Sequence, residues 1–430
     1  MAASPDPEGP TAVGRFTAFR YRDFRLFWSS IFISNIGTWM QMTAVNWLLY
    51  KLTKSPLQLG LNGLFRAGPA LALGLFSGAL ADRYDRKKLL LTTQCLLGSL
   101  ALIMGVLDHS ENIRPWHIYL MTFLSAAVGS CDGPARQALF PLLIPKAVLP
   151  NAVALNAILW KGAALLGPML GGIAISLMGT SGAFYANAAS FFVVVSALLM
   201  MRTSSPAAES GRHFASEVKA GLSYVYAQNI ILGVIVMEAT TSIFGLDNAL
   251  LTIFASDILR VGAHGFGLLQ SARGLGAVLG SSFYIAFGQR PYQGKILLTS
   301  ALLYSIGFII FGYSPSFIFS LLLLAFVGAM DTIWAAARST ILQWIAPERL
   351  RGRIMGIFQL SNQGLNPLGQ VETGLLVPIA GARLATALGG IIVAAVTLLT
   401  ALRLREVPRF RLERPLAERP DGASPRQPMG

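Results

Sequence analysis

The chain is short of charge and of cysteine. Only 13% of its 430 residues are Asp, Glu, Lys or Arg, against 54% hydrophobic, whereas soluble domains carry about 25% charged residues. A water-soluble protein of this length has no core able to hide so much apolar surface, so lipid is expected as its solvent. The two cysteines, Cys95 and Cys131, sit inside apolar runs. They exclude a disulfide framework and a cysteine-rich metal site, and are expected to act as small buried hydrophobes. The four histidines are scattered, no His-Glu-x-x-His pattern occurs, and no metal or other cofactor is expected. A Gly-x-x-x-x-Gly-Lys-Ser/Thr phosphate loop is missing, which argues against direct ATP drive, as is a Gly-x-Ser-x-Gly nucleophile elbow. An enzyme is therefore not expected. Residues Met1 to Pro10 are polar and proline-rich, without an apolar h-region, so no cleavable signal peptide is expected.

Long apolar runs are what the chain has in abundance. A membrane helix needs about 20 mostly apolar residues. Twelve runs qualify: 24–49, 57–81, 87–107, 116–141, 152–178, 182–201, 230–256, 264–287, 295–313, 316–341, 354–378 and 384–403. With the N-terminus placed in the cytoplasm, 24 of the 34 Lys and Arg fall on the cytoplasmic side, five outside and five within spans. This positive-inside bias predicts that both termini are cytoplasmic. It also accounts for the net charge of +14 without nucleic acid. The expected organisation is a cytoplasmic N-terminal segment (1–23), a six-helix bundle (24–201), a cytoplasmic linker (202–229), a second six-helix bundle (230–403) and a disordered basic tail (404–430). Within the linker, Phe214, Val218, Leu222 and Val225 have helical spacing. They fit either an amphipathic surface helix or a partly ordered linker.

The two halves resemble each other. Gly129, Asp132, Arg136 and Pro145 recur as Gly328, Asp331, Arg338 and Pro347, at offsets of 199 and 202 residues. Duplicated six-helix halves place a binding site at their interface near mid-membrane. The loop after the second run reads Gly78-Ala-Leu-Ala-Asp82-Arg83-Tyr-Asp85-Arg86-Lys87-Lys88. It resembles the signature loop of the major facilitator superfamily, Gly-x-x-x-Asp-Arg/Lys-x-Gly-Arg-Arg/Lys, with Asp85 in place of the usual Gly. Gly78 lets neighbouring helices approach, Asp82 suits a helix N-terminus, and Arg83 and Arg86 can pair with carboxylates as a latch between access states.

The fifth run contains Gly167-Pro168-Met-Leu-Gly171-Gly172. It resembles the Gly-Pro-x-x-Gly-Gly core of a motif in the antiporter branches of that superfamily, which goes with export. The proline bends the helix and the glycines let an adjacent helix pack tightly, closing the outward end. Gly133-Pro134-Ala135-Arg136 through Pro145, Asn151 through Asn156, and Ser34-Asn35-Ile-Gly37-Thr38-Trp39-Met-Gln41 are similar to the drug:proton antiporter subgroup that includes macrolide efflux proteins and the enterobactin exporter. The resemblance covers about 20–405.

Ionisable residues within spans are functional candidates because an unpaired one costs several kcal/mol. Asp132 and Arg136, four apart, can pair locally; alternatively Asp132 joins Asp82 and Arg86 in the latch. Glu238 and Asp247 are nine residues apart and would share one face of a continuous helix, with no opposite charge nearby in sequence. Asp247 is the first candidate for proton coupling and Glu238 the second, followed by Asp331 and Glu372. Trp39, Met42, Phe244, Arg273 and Trp334 are candidates for an adaptable substrate cavity.

The expectation is thus an all-α membrane protein of twelve transmembrane helices in two pseudo-symmetric six-helix bundles. The resemblance implies a monomeric, proton-coupled secondary exporter of small amphipathic molecules, of drug or siderophore type, working by alternating access in a bacterial inner membrane. Its expected partners are a small-molecule substrate, protons and the lipid bilayer. An importer or lipid-type facilitator on the same fold is the alternative, and a non-transport membrane receptor or enzyme comes third.

Overall fold

In a computed structural model of the chain, the described residues are 16–203, 228–287 and 291–412, and the side chains of 70, 74–83, 348–353, 356–357 and 359–363 lie outside the description. Phe214, Val218, Leu222 and Val225 of the linker, and the tail from 413 onward, also lie outside it. Every regular element among the described residues is helical. In chain order these are α1 (Arg22–Thr53), α2 (Pro56–Arg83), α3 (Arg86–His109), α4 (Pro115–Leu139) and α5 (Leu149–Met200). Then come α6 (Asn229–Phe244), α7 (Asn248–Ile253), α8 (Gly262–Phe287), α9 (Gln293–Gly312), α10 (Phe317–Ile345), α11 (Glu348–Ala380), α12 (Ala382–Arg403) and the short α13 (Glu406–Arg409).

Two interruptions shape this series. Gly179 has φ 72° and ψ 178°, a conformation that needs a residue without Cβ, and it divides α5 into two rods. The boundary between the fifth and sixth predicted spans falls there. The seventh predicted span is not one helix: α6 stops at Gly245, α7 starts after Asp247, and a π turn follows at Phe254–Ile258. Divided at Gly179 and joined across 245–247, the long elements among the described residues make twelve rods.

Among the described residues, six stretches are long and apolar enough to cross a membrane by length and composition: Arg86–His109, Lys146–Met200, Asn229–Ile258, Gln293–Gly312, Phe317–Ile345 and Ala382–Arg403. The remaining rods are α1, α2, α4, α8 and α11. Their polar residues Asn46, Asn62, Asp132, Gln270 and Gln370 are all buried. Polar groups kept from lipid face the inside of a membrane bundle. The outer surface is correspondingly apolar, with Leu177, Ile285, Ile318, Ile379 and Leu402 all highly exposed. Cys95 is exposed as well, which corrects the expectation of burial.

The first six rods pack mainly on one another (α1 on α5, α2 on α4, α3 on α4 and α5), and so do the last six (α8 and α9 on α10; α9 on α12; α6 on α11 and α12). Two seams join the sets, α2 with α11 and α5 with α8. Both are close backbone approaches. A Cβ on Gly374 would lie 2.9 Å from Gly60 Cα, and one on Gly172 would lie 3.1 Å from Gly267 Cα. The seams sit toward the chain-ends of these rods near Pro56, Gly179, Gly262 and Gly381. At that end one hydrophobic core contains residues of both sets, among them Leu49, Phe184, Leu251, Phe266, Phe311 and Val377. At the opposite end the cores are separate, one around Phe24, Leu90, Leu139 and Leu198 and one around Ile231, Leu297, Ile341 and Phe358. The halves are therefore fused at one end and independent at the other.

Asp23, just ahead of the first predicted span, stitches the start of α1 to the end of α5. Its Oδ2 accepts from the amides of Arg202 (3.0 Å) and Thr203 (2.9 Å) and from the Thr203 hydroxyl (2.6 Å). Burial alone would raise its pKa, but these hydrogen bonds outweigh it and hold the carboxyl below its ordinary range.

Candidate functional site

The break between α6 and α7 organises the charged residues of the second half. Ending a helix in mid-bundle leaves backbone donors and acceptors that must be satisfied locally. Leu246 N donates to the Tyr304 hydroxyl of α9 (2.9 Å), and Leu246 O accepts from the Arg273 guanidinium of α8 (3.0 Å). Asp247 caps α7: its Oδ1 accepts from Leu250 N (2.7 Å), and its Oδ2 accepts from the Thr373 hydroxyl of α11 (2.6 Å). Arg273 reaches Asp331 of α10 at 3.4 Å. Glu372, beside Thr373, is close enough to Asp247 for their charges to interact. Its Oε1 is buried without a hydrogen-bond partner among the described residues.

Four of the expected site residues thus come together: Asp247, Asp331, Glu372 and Arg273. They make three carboxyls against one guanidinium. Although Arg273 and Asp331 are paired in mid-rod, their side chains keep 31% and 36% of their surface accessible. Enclosure with that much access means they line an internal space. Phe244, Trp39 and Met42 are also half-buried. Trp334 is not a lining residue. It is 1% exposed, packed against Tyr304 with ring centroids 6.4 Å apart.

Glu238 is fixed elsewhere. It forms a buried ion pair with Arg338 of α10, whose guanidinium lies over the rings of Phe358 (4.5 Å) and Trp334 (5.1 Å). The shared face expected for Glu238 and Asp247 does not exist, because the helix is broken between them. Sequence separation also hid the partner, exactly one hundred positions away being beyond any local pattern.

In the first half Asp132 pairs with Arg136 and accepts from Thr93 (2.9 Å) and Gln94 (2.7 Å) of α3. The local pairing is the one observed. The repeated motif has diverged: Asp331 answers Arg273 and Arg338 answers Glu238. In the signature loop the side chains of Gly78, Asp82 and Arg83 lie outside the described residues. The backbone puts Asp82 in the last turn of α2, not at a helix N-terminus as expected. Asp85 takes that position, accepting from Lys87 N (2.9 Å) and Lys88 N (3.1 Å) as the cap of α3. Arg86 keeps a buried Nε without a partner among the described residues.

The Gly-Pro motif works on two neighbours. A Cβ on Gly167 would meet Trp39 of α1 and lie 2.9 Å from Ile36 O; one on Gly171 would lie 3.0 Å from Met40 Cα. Gly172 faces α8, and the Pro168 carbonyl lies against Gly267. The residues that sequence reasoning missed are Tyr304, Thr373 and the break itself. Gly245 followed by Asp247-Asn248 is a helix-stop and helix-start signal that would have located it.

A family model described as transmembrane secretion effector matches residues 13–418. Enterobactin exporter EntS of Escherichia coli O157:H7 is 27% identical over 408 residues, covering 93% of this chain and 96% of the relative. EntS of Shigella boydii serotype 18 is 28% identical over 397 residues, covering 90% and 93%. Among solved structures, nucleoside transporter NupG superposes with a TM-score of 0.72 at 12% identity, covering 89% of this chain and 99% of that one. A bacterial homolog of the human lysosomal transporter Spinster, inward-facing and occupied, gives 0.71 at 15% identity, covering 91% and 99%. With the family matched over nearly its whole length and the fold shared with these transporters, the chain belongs to the transmembrane secretion effectors of the major facilitator superfamily, and it is a multi-pass membrane exporter, not an enzyme.

Proposed function

We propose that export by this chain is coupled to proton entry and that the solutes are small and amphipathic. Charge balance at the α6–α7 break supports the coupling. Asp247 and Asp331 flank one cation, Arg273, and Glu372 lies near Asp247, so full ionisation leaves two uncompensated negative charges in a low-dielectric site. A proton on one carboxyl relieves part of that cost. Asp331 has Arg273, and Asp247 has a donor at each oxygen. Glu372 has an oxygen with no partner among the described residues, so it is the first proton carrier, with Asp247 as its coupled neighbour. Glu238, held by Arg338, is a strut.

In this reading the halves 24–201 and 230–403 rock about the central space, joined by the linker 202–229. The positive-inside count supports a reading with both termini in the cytoplasm of a bacterial cell and the fused end outside. The structure then corresponds to an inward-facing state, with solute entering between the separate cores. Exchange of one proton for a neutral solute draws about 2.3 kcal/mol from each 100 mV of membrane potential.

The test is reconstitution in vesicles with an imposed pH gradient, using enterobactin, from the relatives' name, and a panel of amphipathic drugs. Flux should follow the gradient and collapse with an uncoupler. Glu372→Gln and Asp247→Asn should keep solute binding and lose the response to the gradient. Undiminished gradient-driven flux in both variants refutes the assignment.

A further inference from the structure

Among the described residues, α2 carries a guanidinium with no acid to answer it. Of the enclosed arginines in the rods, Arg136 has Asp132, Arg273 has Asp331 and Arg338 has Glu238. Arg66 has the thioether of Met42, 3.6 Å from its terminal nitrogen. A thioether sulfur is a weak acceptor. Among the described residues no carboxylate pairs with Arg66, and no charged side chain offsets its burial. A guanidinium enclosed this way carries a desolvation cost that an anion would relieve.

The surroundings say where that anion comes from. Arg66 is enclosed by protein yet only half-buried by surface area, so it borders an internal space. Its contact, Met42, is itself half-buried on α1. One turn earlier on the same face of α2, Asn62 has a side-chain oxygen without a partner among the described residues. Across the molecule, the second half presents the excess of carboxylates around Arg273. Among the described residues the two halves are therefore oppositely charged, with an unanswered cation on the first and surplus acid on the second.

We propose that Arg66 is a specificity-determining residue that recognises an anionic group on the exported solute, a carboxylate or comparable monoanion, while an apolar portion packs on Met42. This rests on the reading of the chain as an exporter of amphipathic solutes. A planar guanidinium can take a carboxylate through two parallel hydrogen bonds. The solute's anion then sits on the wall away from the surplus acids, which remain free to exchange protons.

The experiment uses the full-length protein in phosphatidylcholine nanodiscs. Binding is measured for three probes, 4-phenylbenzoate, decanoate and 1-naphthalenesulfonate, each against its uncharged primary amide. Wild type should bind at least one anion about tenfold or more tightly than its amide. Arg66→Met should erase the preference and Arg66→Lys should keep part of it. Arg66→Met should also unfold at a higher temperature than wild type without ligand, since it removes an unpaired buried cation. No preference in wild type for any pair, or a preference that survives in Arg66→Met, overturns the proposal. So does phosphatidylglycerol in the nanodisc competing with every probe, which would assign the anion to a lipid headgroup. Failure of the exporter reading would look different: anion preference intact, with no solute flux in vesicles.

Discussion

Replacing Gly267 with alanine adds a single methyl carbon to the narrowest part of the α5–α8 seam. A Cβ at that position would overlap the Pro168 carbonyl oxygen and lie 2.9 Å from Gly172 Cα and 3.0 Å from Gly172 N. All three neighbours are backbone, so no side chain can swing aside and the rods themselves must separate. Overpacking of this kind costs about 1–3 kcal/mol. The cost falls only on the state in which the seam is shut; once α5 and α8 part, the methyl has room. The ratio of the two states should then shift by about 5- to 150-fold toward the parted one. Spin labels at Ser176 and His264, both exposed near the seam, would report it as growth of a longer-distance population. Gly68→Ala is the control, because nothing lies within 4 Å of its added carbon. Should Gly267→Ala and Gly172→Ala both give the wild-type distance distribution, the glycine contacts are not what governs this end.

Two further outcomes follow from the charged residues. Glu238→Gln strands the buried Arg338 guanidinium and should destabilise the protein by about 3–5 kcal/mol, read from denaturant unfolding in detergent, while adding Arg338→Met should recover part of the loss. Equal instability of the single and double variants would contradict this. For Asp23, a carboxyl held below its ordinary value in the folded chain contributes stability above the unfolded value near pH 4, and that contribution is lost as pH falls through the folded value. Hydrogen-exchange protection of the Arg202 and Thr203 amides should therefore be complete at pH 6, fade on acidification, and be absent in Asp23→Ala. Protection independent of pH would remove the carboxylate from the account.

Much of the architecture is legible in the chain because lipid imposes a simple rule: long apolar runs become rods. The division at Gly179 and the pairing of Asp132 with Arg136 follow from local pattern, since a glycine between two runs and charges four apart act over short distances. What local pattern cannot show is contact between distant segments. Glu238 looked free because its partner, Arg338, belongs to another rod. Trp334 has the chemistry of a cavity aromatic, yet tertiary packing buries it. The seventh run hid its break because apolar residues continue on both sides of Gly245, so hydropathy outvoted the capping signal. Asp85 looked like a departure from a loop pattern, although an aspartate before a helix is also a cap.

The fused core at one end also bears on how the molecule is made. The residues that complete it arrive late: Leu49 and Phe184 must wait for Leu251, Phe266, Phe311 and Val377. The core around Phe24 and Leu198, by contrast, is supplied by the first half alone. During synthesis the earlier half can settle one of its ends in the bilayer while the other still shows Thr43, whose α8 partner Gln270 has not yet been translated. Biogenesis is therefore lopsided, with maturation of one face postponed until the last rods are inserted.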